Sequence, residues 1–148
     1  MAVLCMGLGL VACGSDSATV GQPEPVTASG QLAVSGTAAT ALTTNGLFRP
    51  NKGALIQNTG EYILKFDDTH QAINLIYSEF TDAKSQMVYQ LDVSQLWLQN
   101  TWQIRSVGTP IPNIVVDKAQ LTLTLSQVTL TGSPTPDTLI LDGMIQIQ

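Results

Sequence analysis

The sequence predicts an all-β domain, an antiparallel β-sandwich or barrel of about eight or nine strands. Three observations carry that expectation. From Gly30 onward apolar residues recur at every second position. Threonines and other polar residues fill the alternate places. Short clusters of Gly, Pro, Asn, Asp and Ser break the chain between the alternating runs. Strict alternation marks strands with one buried and one wet face, the habit of antiparallel sheets.

In chain order, "GTAATALTTNG" (Gly36 to Gly46) is ambiguous, because its alanines permit a short helix and its threonines favour a strand. "NTG" at Asn58 to Gly60 is a turn. "EYILKF" then sets Tyr62, Leu64 and Phe66 on one face against Glu61, Ile63 and Lys65. "DDTH", Asp67 to His70, reads as a hairpin loop into "INLIYSEF", where Ile73, Leu75 and Tyr77 share a face. "YQLDV" aligns Tyr89, Leu91 and Val93. "GTPIPN", Gly108 to Asn113, has two prolines and belongs in a loop or at an edge.

"QLTLTLSQ" sets Leu121, Leu123 and Leu125 against Thr122, Thr124 and Ser126. Val128 and Leu130 then take the opposite parity, so one extra residue near Ser126-Gln127 is expected as a β-bulge. "GSPTPD", Gly132 to Asp137, is a turn-rich break. Leu139, Leu141, Ile145 and Ile147 keep one parity across Asp142-Gly143, so Thr138 to Gln148 reads as a single strand kinked at Gly143.

Composition narrows the function. The chain has 148 residues, a formal net charge of −5, and charged residues make up only 11%. Its six basic residues are scattered, which argues against nucleic-acid binding. Met1 to Ser15 carries no charge. Its apolar part, Ala2 to Cys13, is shorter than the about 20 residues that span a bilayer and suits the core of a secretory signal.

Leu10-Val11-Ala12-Cys13 resembles the bacterial lipobox. The resemblance implies that residues 1–12 are a signal peptide and that Cys13 is lipidated with diacylglyceryl and acyl chains such as palmitate. One feature departs from the usual signal: no Lys or Arg precedes Arg49. Gly14, rather than Asp, after the lipidated cysteine implies the outer membrane, facing the periplasm or the cell surface. Two or more acyl chains anchor a protein stably without a spanning helix. Residues 13–29, rich in Ser, Gly and Pro, read as lipidated cysteine and flexible tether, with an irregular first strand around Val26 as the alternative. Residues 30–148 form the single β domain. With Cys13 acylated the mature chain has no second cysteine, so packing must stabilise it.

Candidate chemistry is sparse. His70, the one histidine, lies beside Asp67 and Asp68. The alternatives are a small metal or acid–base site, and a polar turn whose Asp side chains bond their own backbone. No metal-ligand spacing, nucleophile motif or phosphate loop accompanies it, so no catalytic residue, metal or cofactor is expected. Trp97 and Trp102, in "LWLQNTW", are the candidate ligand contacts. Their offset puts them on opposite faces of one straight strand, while a turn at Gln99-Asn100-Thr101 would let them share a face. The competing expectation is that one or both fill the core.

Together these readings predict a non-enzymatic cell-envelope lipoprotein. Its β domain has a structural or protein-interaction role, with a glycan- or lipid-binding module as the alternative. Its partners are the membrane, through Cys13, and another envelope protein or glycan.

Overall fold

The structure is a computed structural model that describes residues 24–148. The lipobox, Cys13 and most of the expected tether lie outside the described residues. Ten strands follow: β1 (Val26–Ser35), β2 (Leu47–Phe48), β3 (Lys52–Asn58), β4 (Glu61–Asp68), β5 (Ile73–Thr81), β6 (Met87–Gln95), β7 (Thr101–Val107), β8 (Ile114–Asp117), β9 (Thr122–Ser133) and β10 (Thr138–Ile147). One four-residue helix, α1 (Ala39–Leu42), follows β1. The expected barrel is present. Eight strands close antiparallel in the order β1-β3-β4-β5-β6-β7-β9-β10, and β10 returns to β1 from Ala28↔Ile147 to Ser35↔Ile140. Closure pairs most of the edges that an open sheet would present, and leaves β8 and the second half of β7 each paired on one side.

The two remaining strands are short. β2 pairs with β1 and continues the line of β3 across Arg49-Pro50-Asn51. Proline has no N–H to donate, which fits the break in that strand. β8 pairs with the first half of β9, while the last residues of β9 pair with β7. β1 begins at Val26, inside the stretch read as tether, so the irregular first strand is the alternative that the structure adopts there.

The alternation read from the sequence points inward. Tyr62, Leu64 and Phe66 of β4, Ile73, Leu75 and Tyr77 of β5, and Leu91 and Val93 of β6 are all buried in one core cluster. Leu123, Leu125, Val128, Leu130, Leu139, Leu141, Ile145 and Ile147 complete it from β9 and β10. The cluster fills the interior, as expected for an eight-stranded barrel. Each fully buried Leu, Ile or Phe contributes roughly 1.5–3 kcal/mol.

The parity change in β9 has its expected cause. Val128 faces Leu141 and Leu125 faces Gly143, so Ser126 and Gln127 together oppose Asp142. Gln127 takes a positive φ of 53°, and its N–H donates to Asp142 Oδ1 at 3.1 Å. The kink in β10 is equally local. Gly143 has φ 135°, and a Cβ there would sit 2.5 Å from the Gln31 carbonyl oxygen of β1. Only glycine permits that close approach with that backbone.

The strand directions define two ends. The upper end carries the β1–β2 connection with α1, and the β4–β5, β6–β7 and β9–β10 loops. The lower end carries the β3–β4, β5–β6 and β8–β9 turns, the start of β1 and the end of β10.

Candidate functional site: a groove at the upper end

Three upper loops meet around a groove of about 460 Å³, a volume in the range that small ligands occupy. One wall is α1 and the residues after it, Thr40 to Thr44. The others are His70-Gln71 of the β4–β5 loop and Gln95, Trp97 and Leu98 at the β6–β7 loop.

Two glutamines hold these loops together. Gln95 ends the inward-facing run of β6 and is only 8% exposed. Its Nε2 donates to the carbonyl oxygens of Leu42 at 3.2 Å and Gln71 at 2.7 Å. Two carbonyl acceptors on one side fix the amide's orientation. The other end, Gln95 Oε1, is buried with no hydrogen-bond partner. An acceptor left unpaired in this way costs about 1–3 kcal/mol. Gln71 Nε2 donates to the Leu47 carbonyl and to Asp68 Oδ2, while its Oε1 accepts the Thr44 N–H.

Asp68 is buried beneath the same loop and explains the behaviour of "DDTH". Its Oδ1 accepts the backbone N–H groups of His70 and Gln71, at 3.0 and 3.1 Å. This is the polar turn in which an Asp side chain bonds its own backbone. The loop itself falls at Thr69 to Ala72, because β4 extends through Asp68. Asp67 faces the other side of β4, where its Oδ2 lies 3.3 Å from Lys65 Nζ. Successive strand residues point to opposite faces, so Asp67 and Asp68 do not converge on His70. His70 is exposed and lines the groove. Among the described residues, no group of three or more His, Cys, Asp or Glu side chains is placed to hold a metal ion.

The two tryptophans part company. Trp102 is 1% exposed, and its Nε1 donates to Asp137 Oδ1 at 2.7 Å. It belongs to the core, so Trp102 is corrected from a candidate ligand contact to a packing residue. Asn100 Nδ2 shares Asp137 Oδ1, and Gly132 is needed beside them because a Cβ would collide with both side chains. Trp97 is 67% exposed in the loop between β6 and β7, next to Leu96 at 77%. The loop runs from Leu96 to Asn100, so the tryptophans share neither a strand nor a face. Trp97 alone of the pair is available to a ligand.

The lower end is built from different chemistry. The chain's three tyrosines, Tyr62, Tyr77 and Tyr89, surround Glu79: Tyr62 and Tyr89 sit directly opposite it on β4 and β6, and Tyr77 precedes it by two residues. Tyr77 Oη donates to Glu79 Oε1 at 2.9 Å. Lys118, from the β8–β9 turn, reaches Glu79 Oε2 at 2.6 Å and lies 4.6 Å from the centre of the Tyr62 ring. Burial, and then the Glu79 charge, push the Tyr77 phenol far above its ordinary range and raise Tyr62 in the same direction. Both tyrosines are thereby kept protonated.

Sequence reasoning missed Gln95, and it did not distinguish Glu79 from the other strand carboxylates Glu61, Asp82 and Asp92. Each extends an inward parity run by one step, Val93 to Gln95 and Tyr77 to Glu79, and a polar residue at such a position was the available signal. Lys118 gave none, because it meets Glu79 across 39 positions of sequence. No family model, curated protein or solved structure matches the chain.

Proposed function

We propose that the chain is a lipid-anchored, non-catalytic protein of the cell envelope, with a β-barrel that serves as a contact module. The observation that carries this reading is the opposition of the two ends. The segment bearing Cys13 joins β1 at the lower end, and the groove with exposed Leu96 and Trp97 opens at the upper end. A tether that enters at the lower end leaves the groove end free to meet a partner. The partner is another envelope component. A protein contact is supported by the adjacent exposed Leu96 and Trp97. A glycan-binding role is supported by the groove beside them.

The anchor is tested by expressing the protein and Cys13→Ala in a bacterial host. The wild type should enter the detergent phase and take up acyl label, and the variant should do neither. Equal labelling of both, or labelling of neither, rules the anchor out. The non-catalytic half is tested by screening for esterase, glycosidase and peptidase turnover with and without divalent metal. Turnover that is abolished in a cooperatively folding His70→Ala variant would overturn it.

A further inference from the structure

We propose that the groove between α1 and the β4–β5 and β6–β7 loops binds a neutral saccharide, with the exposed Trp97 indole as its stacking face. The inference rests on the reading of the domain as a contact module and names the ligand class of that site.

The lining residues carry the argument. None of the ten is Asp, Glu, Lys or Arg, so the groove offers a ligand no carboxylate, ammonium or guanidinium group. It offers hydroxyls from Thr40 and Thr44 and an imidazole from His70. Beside these polar groups stands one large, solvent-exposed aromatic, Trp97. A sugar ring presents the matching pair of surfaces: C–H groups for the indole face and hydroxyls around its edge. Gln95 lines the groove too, but its unpartnered Oε1 is buried out of a ligand's reach. A lipid tail fits less well, because the barrel interior is already filled by side chains.

The test uses the full-length protein in a detergent without sugar headgroups. Cellobiose, maltotriose and N,N′-diacetylchitobiose are titrated while tryptophan emission is followed. Digalacturonate supplies the charged sugar control, and phospholipid vesicles supply the lipid control. At least one neutral saccharide should shift the emission with a millimolar or tighter Kd, and digalacturonate and vesicles should not. Trp97→Ala removes the reporter, so binding to it is read on the sugar by saturation-transfer NMR, where the signal should fall about tenfold. The paired Thr40→Val, Thr44→Val variant keeps both tryptophans. Its Kd should rise at least about threefold. No response to any neutral saccharide at about 10 mM, an equal response to digalacturonate, or undiminished saturation transfer in Trp97→Ala would overturn the proposal. A shift caused only by vesicles would overturn it too, while leaving the contact-module reading standing. Acyl labelling at Cys13 reports on the anchor independently of all these outcomes.

Discussion

The two ends of the barrel are closed by opposite means. At the lower end a carboxylate, a lysine and three tyrosines are drawn together, and a turn from the far side of the barrel supplies the lysine. At the upper end the loops are tied by neutral amides, Gln71 and Gln95, and the largest aromatic nearby is left in solvent. Buried ionic and phenolic groups reward a fixed arrangement and penalise its loss. Neutral amides tie the loops without placing a charge among them. The difference teaches that the lower end is a structural closure and the upper end a surface kept for contact.

The largest effect should come from the wall both ends share. Leu123→Asp places an unpaired charge in the core and should abolish cooperative folding. Thr122→Asp and Thr124→Asp, half-buried on the outer face, should cost about 1 kcal/mol or less. Thermal melts check the order. If the threonine changes proved the worse ones, β9 would be inside out and neither end would be where we place it.

Next in size is the lower closure. Lys118→Ala leaves Glu79, whose side chain is only 15% exposed, without its cation. A loss of roughly 1–2 kcal/mol is expected, because Lys118 itself is more than half exposed and partly screened by solvent. That corresponds to a fall of roughly 4–8 °C in Tm.

The same cluster sets an alkaline limit. Tyr62 and Tyr77 hold their protons more firmly in the folded chain than in the unfolded one, where tyrosine ionises near 10.0. Their contribution is complete below pH 10 and is lost as pH rises through the folded values. Denaturant unfolding followed from neutral pH to above pH 10 should show stability falling only above pH 10. Tyr77→Phe, though less stable near neutrality, should fall less steeply there. A stability that rises with pH in that range would remove the lower end's buried phenols from the account.

Much of the barrel was legible in the sequence because a filled, closed barrel writes a period of two into its regular strands, β4, β5, β6, β9 and β10. Even its irregularities were readable: Gln127 and Gly143 interrupt parity runs of Leu and Val, and an interruption shows against a regular background. β2 and β8 were not, since Leu47-Phe48 and Ile114 to Asp117 are too short to display a period. The candidate site was half legible. Trp97 stood out as a residue, but its exposure, set against the burial of Trp102, depends on where the loop begins, and Leu96 to Asn100 contains no glycine or proline to mark it. The groove joins residues 40–44, 70–71 and 95–98, and only closure of the barrel brings those three loops to one end.

The most direct measurement compares Trp97→Ala with Lys118→Ala in two readouts, Tm and saturation transfer to the neutral saccharide that the wild type binds. The account predicts a clean division. Trp97→Ala should keep Tm within about 2 °C of the wild type and lose binding. Lys118→Ala should lower Tm and, at a temperature where it is folded, bind as the wild type does. If Trp97→Ala lost stability while keeping its ligand, or Lys118→Ala lost the ligand while still folded, the division between a structural end and a contact end would be wrong.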